Sequence, residues 1–139
     1  MIRRIFIDTQ GWVALKYRSD AHFQQARQVF NEVLLEKALF ITTNFVLDEA
    51  YTLLRRTAGH RVVVDFGEEV KVMLPLRVVH IGKKLQDAAW DLFKARDGTL
   101  LWSFTDCTSF AVMQQLNIYE AFTNDHEFEQ AGFIKLLGS

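Results

Sequence analysis

The chain has 139 residues, with 16 Lys and Arg against 17 Asp and Glu, one Cys and one Pro, and half of its residues are hydrophobic. That length suits one domain over residues 1–139, and 12 Phe with only 24 % charged residues exclude a disordered chain. A lone cysteine excludes an internal disulfide framework and fits a reducing, cytoplasmic setting, no apolar run approaches the ~20 residues of a bilayer span, and a net charge of −1 carries no overall basic signature for nucleic acid.

The opening Met1-Ile2-Arg3-Arg4-Ile5-Phe6-Ile7-Asp8 does not read as a signal peptide, because its apolar run is short and ends in an acid. Ile5-Phe6-Ile7 reads instead as a parallel strand covered on both faces. Thr9 is placed to cap a helix through Tyr17, and Asp20 to cap the next, whose Phe23, Ala26, Val29, Phe30, Val33 and Leu34 share one face. Leu39-Phe40-Ile41 is a second strand. Thr42 or Thr43 caps a helix to about Ala58, which Gly59 stops. A helix over 61–72 ends before Pro75, and the β-branched run 76–81 is a third strand. A helix from Lys83 to Arg96 stops at Asp97-Gly98, and Ser103-Phe104-Thr105-Asp106 opens another to about Leu116. A strand over 119–123, a short helix over 125–130 and a last strand over 133–137 complete the chain. Strands alternating with helices imply an α/β fold with a parallel sheet, whose ligands bind at the carboxyl ends of the strands.

Four acids are placed to converge there. Asp8 and Asp125 each follow an apolar strand; capping explains one such Asp well and two less well. Glu49 falls between Phe45 and Leu53 at the edge of an apolar helix face, so it is expected to point toward the protein body, with a rim ion pair to Arg56 as the plainer reading. Its neighbour Asp48 falls with Thr52 and Arg55 and reads as solvated. Asp106 shares a stripe with Phe110 and Met113 at a helix start, where an N-terminal-turn acid is common but an inward one is not required. Four unpaired acids at one sheet edge repel each other. A divalent cation relieves this, and all-oxygen ligands suit Mg²⁺ or Mn²⁺. Zinc is not indicated, since there is no CxxC, HExxH or His pair at metal spacing.

The segments Ile5-Phe6-Ile7-Asp8-Thr9, Thr43-Asn44-Phe45-Val46-Leu47-Asp48-Glu49, Phe104-Thr105-Asp106-Cys107-Thr108-Ser109-Phe110 and Phe122-Thr123-Asn124-Asp125-His126-Glu127-Phe128, in this order, resemble the PIN-domain family, especially the VapC-type toxins of bacterial toxin–antitoxin pairs. The resemblance runs from Ile5 to Phe133. It implies a Rossmann-like three-layer fold and a Mg²⁺- or Mn²⁺-dependent endoribonuclease. Asp8, Glu49, Asp106 and Asp125 match the family's acidic quartet, which binds the metal and carries the catalysis. Thr9 and Thr123 match hydroxyl positions that support it. The resemblance further implies a homodimer held in check by an antitoxin. Gln10 departs from the small polar residue common at its position.

Other groups carry weaker signals. Arg55, Arg56 and His126 are candidate phosphate contacts, although a helix carboxyl end by itself favours the two arginines and His126 reads equally as a surface histidine. Cys107 near a helix start could have a lowered pKa, or be a small buried hydrophobe. Trp12 and Tyr17 could stack a base or pack in the core. The apolar segment from Leu100 to Phe104 is core or interface. Two other functions fit the acids less well. A phosphoaspartyl enzyme using Asp8 would need a Lys at a later strand end, where His80 and Thr123-Asn124-Asp125 stand instead. A non-catalytic, metal-stabilised interaction module would use the acids structurally. Setting four acids aside in a cleft leaves 13 against 16 basic residues, a mildly positive body.

Overall fold

A computed structural model describes residues 1–96 and 100–138. In chain order the elements are β1 (Arg4–Ile7), α1 (Thr9–Lys16), α2 (Phe23–Leu35), β2 (Leu39–Thr43), α3 (Asn44–Thr57), α4 (His60–Val72), β3 (Leu76–Val79), α5 (Lys83–Lys94), α6 (Phe104–Leu116), β4 (Glu120–Phe122), α7 (Glu127–Gln130) and β5 (Ile134–Lys135). The strands form one parallel sheet in the order β3-β2-β1-β4-β5, flanked by helices. The α/β expectation holds element by element.

Ile5, Phe6 and Ile7 are fully buried because β1 is the central strand, with layers on both faces. The chain winds from β1 outward to β3 and then returns to β4 on the other side. Connections therefore diverge between β1 and β4, and a crevice opens at their carboxyl ends. Ile7 pairs with Phe122 in register, so the residues that follow each strand, Asp8 and Thr123, leave the sheet side by side.

Packing fixes these strands. Phe30 of α2 stacks on Phe40 (4.7 Å between ring centroids) and meets Phe122 edge-on (6.0 Å). Phe110 of α6 meets Trp102, Phe128 and Phe133 at 5.0, 4.9 and 5.6 Å. Trp12 is buried, donates from Nε1 to Thr42 Oγ1 (3.2 Å) and tilts against Phe66, so it is core and not a base-stacking surface. Gly11 is required by close approach: a Cβ there would overlap the Phe122 carbonyl oxygen. The glycine lets α1 lie against the end of β4 and brings Asp8 to the crevice.

Several local expectations change. Asp8, not Thr9, is the N-cap residue of α1, since the extended backbone of β1 continues through it; Thr9 is already helical. Asp20 does not cap α2. Its Oδ1 accepts from the His22 backbone N–H (2.8 Å) in a turn, and α2 begins at Phe23. Thr43, not Thr42, caps α3, accepting from Val46 N (3.0 Å). β3 stops at Val79 because the Ile81 N–H goes to Asn44 Oδ1 (2.7 Å) instead of a strand neighbour. α5 ends at Lys94, and Asp97-Gly98 lie outside the described residues. In the apolar segment, Trp102 is buried and reaches Gln130 (3.4 Å), whereas Leu101 is 78 % exposed. Cys107 is fully buried, and its thiol is pushed up to about 11 by burial and by Asp106, so it is not activated.

Candidate active site

The crevice is a cleft of about 550 Å³ lined by residues of α1, α3, α6 and the β4–α7 loop, among them Thr9, Gln10, Glu49, Arg56, Asp106 and Asp125. Each acid arrives by a different local device. Asp8 is 2 % exposed at the end of β1, and its Oδ2 accepts from Thr123 Oγ1 (3.0 Å). The same Thr123 hydroxyl accepts from the Asp125 backbone N–H (3.1 Å). One buried hydroxyl thus ties the ends of β1 and β4 together and sets both acids, which is a physical basis for Thr123 as a support residue.

Asp106 enters from α6 through a capping box. Ser103 Oγ accepts from Asp106 N (3.0 Å), and Asp106 Oδ2 accepts from Ser103 N (3.3 Å). Both readings of Asp106 hold together: it caps the helix, and its carboxyl group is nonetheless buried, at 8 % exposure, facing other acids. Asp106, Asp125 and Glu127 each present a carboxylate oxygen within 4.8 Å of the others. Glu127 is the acid the sequence reading left out. Its backbone N–H donates to Asp125 Oδ1 (3.0 Å) at the start of α7, and its carboxyl group lies within 4.8 Å of those of Asp106 and Asp125. The signal was the Asp125-His126-Glu127 spacing: two residues apart in a tight turn, both acids can face one point.

The electrostatics agree with crowding. Burial first, then the Asp106 charge, pushes Asp8 up to about 7. Burial, the neighbouring Glu127 carboxyl group and the Asp125 charge push Asp106 up to about 8. A bound cation would favour the fully ionised set by offsetting this mutual repulsion.

The remaining candidates separate. Glu49 lines the cleft but is exposed, so it does not point into the protein body, and it forms no ion pair with Arg56. Asp48, expected to be merely solvated, lines the same cleft. Their side chains leave α3 only one residue apart, and both reach the open rim. Arg56 is in the cleft; Arg55 lies beyond it, beside His60 (3.2 Å). His126 is exposed and does not line the cleft. Thr9 Oγ1 is buried at the cleft without a hydrogen-bond partner.

The donor set fits a hard divalent cation: three clustered carboxylates with Asp8 behind them, no His or Cys among them, and an unpartnered buried hydroxyl alongside.

The PIN domain family profile matches residues 5–134. The chain belongs to the PIN-domain family. The 23S rRNA-specific endonuclease VapC20 of Mycobacterium tuberculosis is 35 % identical over 132 residues, 95 % of this chain and 97 % of the relative. The crystal structure of that VapC20, described as a sarcin–ricin-loop-cleaving toxin, superposes with a TM-score of 0.86 at 34 % identity, over 96 % of this PIN domain and 99 % of the other chain. The DNA-bound VapBC of Salmonella typhimurium matches at a TM-score of 0.66 and 17 % identity over 97 % and 96 % of the two chains, a likeness of fold.

Proposed function

We propose that this PIN-domain chain is a Mg²⁺- or Mn²⁺-dependent endoribonuclease, one domain over residues 1–139, acting in the cytoplasm as the toxin of a type II toxin–antitoxin pair. The observation that carries the reading is the convergence of Asp8, Asp106, Asp125 and Glu127 at the β1–β4 crevice, in a chain 35 % identical to an rRNA endonuclease. Asp106, Asp125 and Glu127 would hold the cation, with Asp8 adjoining and Glu49 reaching in from the rim. When bound, the cation supplies charge neutralisation at a phosphodiester and acidification of water.

The protein's own groups do the rest. The Thr123 hydroxyl holds Asp8 and the Asp125 backbone in one arrangement, so the acids need little reorganisation when substrate arrives. The carboxylates accept hydrogens of a water and orient its lone pair toward phosphorus. Arg56 at the rim offers a guanidinium to a phosphate oxygen. The acids repel RNA until a cation is bound, so binding and cleavage both require it.

The sarcin–ricin loop that VapC20 cleaves is the first RNA to try, because the relatedness spans nearly both chains. We infer an antitoxin partner, in keeping with the VapBC complexes that share the fold, and propose a homodimer. The test is hydrolysis of that RNA with Mg²⁺, with Mn²⁺ and with EDTA. Cleavage that needs a cation and is lost in Asp106→Asn supports the proposal, and equal cleavage by both proteins overturns it. A phosphoaspartyl reading would require a covalent phosphate on Asp8, a residue only 2 % exposed.

A further inference from the structure

The cleft does not end at Arg56. Thr52 and Arg56 line both the acidic cleft and a second depression of about 320 Å³, completed by Tyr51, Arg55 and Val63. Tyr51, Arg55 and Val63 in turn line a third, of about 300 Å³, that continues along α4 past Val64 and Gly67 to Glu68 and Lys71, which pair with each other (3.4 Å). The three form one groove between α3 and α4, opening into the acidic crevice. Its charge changes along its length. The crevice end is lined by Asp48, Glu49, Asp106 and Asp125. The middle is lined by two arginines and no acid. Neither Arg55 nor Arg56 forms an ion pair among the described residues, and Arg55 has His60 beside it as its hydrogen-bond partner. The carboxyl end of α3 favours cations there on its own. It does not require that both line a groove continuous with the acids.

We propose that the α3–α4 groove seats the RNA strand on one side of the scissile phosphate, with Arg56 and Arg55 on successive backbone phosphates and Tyr51 and Val63 as the apolar wall for a base. The inference rests on the endoribonuclease reading and adds the path of the substrate to it. Charge complementarity and continuity with the crevice argue for it: a strand whose scissile phosphate lies at the acids meets positive charge at Arg56, where this groove begins. Tyr51 is half-buried and packs edge-on against Phe66 (5.5 Å), which holds its ring in the groove wall. Contacts of this kind position the strand and read little sequence. Base contact with an aromatic wall is likewise tolerant of sequence.

The test uses the sarcin–ricin-loop RNA, fluorescently labelled, and the same RNA trimmed on one side of the cleaved bond or on the other. Binding is measured in Mg²⁺ with the Asp8→Asn protein as parent, so that the RNA stays intact. Arg55→Ala and Arg56→Ala are each expected to weaken binding of the full RNA about tenfold and to lower the salt slope of log Kd by about 0.7 per lost phosphate contact. Trimming one side, and only that side, should abolish the effect of Arg55→Ala. Lys substitutions should restore part of the affinity, and Lys37→Gln, at the opposite edge of the sheet, should change nothing. In the otherwise wild-type enzyme the Arg55→Ala loss should fall on KM more than on kcat.

Unchanged binding in Arg55→Ala, or an equal loss on both trimmed RNAs, overturns the groove proposal while leaving the nuclease reading intact. So does a protein partner that requires Arg55 and Arg56 when RNA does not. Failure of the parent to bind RNA at all overturns both.

Discussion

Asp8→Asn should make the metal-free protein more stable. Asp8 is 2 % exposed and raised from 3.8 to about 7 by burial and by Asp106. The sign follows from linkage. A group whose folded pKa is raised contributes stability that is fully present below its unfolded pKa, and this is lost as pH rises through the folded value. Keeping Asp8 ionised in the fold at pH 8 therefore costs about 4 kcal/mol, at about 1.4 kcal/mol for each tenfold. At pH 5, between the two values, the cost is less than half of that. Asparagine carries no charge and still offers an oxygen to Thr123 Oγ1, while its buried amide hydrogens lack a partner and return about 1–2 kcal/mol. The net gain at pH 8 is about 2–3 kcal/mol, or roughly 5–10 °C in melting temperature for a chain of this size. The assay is thermal unfolding in EDTA at pH 5 and pH 8 for both proteins. The difference should grow with pH, and added Mn²⁺ should stabilise wild type more than the variant. A variant less stable than wild type at pH 8 in EDTA, or a difference that does not change with pH, refutes the reasoning.

Other substitutions test the supports. Gly11→Ala should destabilise by several kcal/mol, because its methyl would overlap the Phe122 carbonyl and push α1 off β4; a denaturant midpoint within error of wild type contradicts that close approach. Thr123→Val removes the hydroxyl that joins Asp8 to Asp125 N, and cleavage should fall at least tenfold while the protein still folds; unchanged turnover would deny it a positioning role. Glu127→Gln should weaken Mn²⁺ binding at least tenfold by calorimetry, and an unchanged affinity would remove it from the ligand set.

Most of the fold was legible because its signals are local. Ile5-Phe6-Ile7 reads as a strand since burial on both faces leaves no polar residue in the run, and Ser103 and Thr43 stand at helix starts where their hydroxyls cap. Asp8, Asp106 and Asp125 were legible for the same reason: strand ends and helix starts of a parallel sheet share one edge. Depth was not. A helical wheel gives Glu49 a direction but not its distance from solvent, and both Glu49 and Asp48 stand at the open rim. Glu127 was missed because its place in the cluster depends on the tight turn at the start of α7, where its N–H bonds to Asp125 Oδ1 and brings both carboxyl groups to one point. Gly11 was missed because its reason is a backbone from β4, not its own helix. Trp12 read as ambiguous because one aromatic residue looks the same in a core or at a surface until its Nε1 partner is known.

The central claim is that carboxylates gathered at the β1–β4 crevice cut RNA with the help of a divalent cation. The most direct measurement is single-turnover cleavage of the sarcin–ricin-loop RNA as Mn²⁺ is titrated, for wild type and for Asp106→Asn. The account predicts a rate that rises and saturates with Mn²⁺ in wild type, vanishes in EDTA and is at least a hundredfold lower in the variant at every concentration. A wild-type rate independent of Mn²⁺ and matched by Asp106→Asn would contradict it.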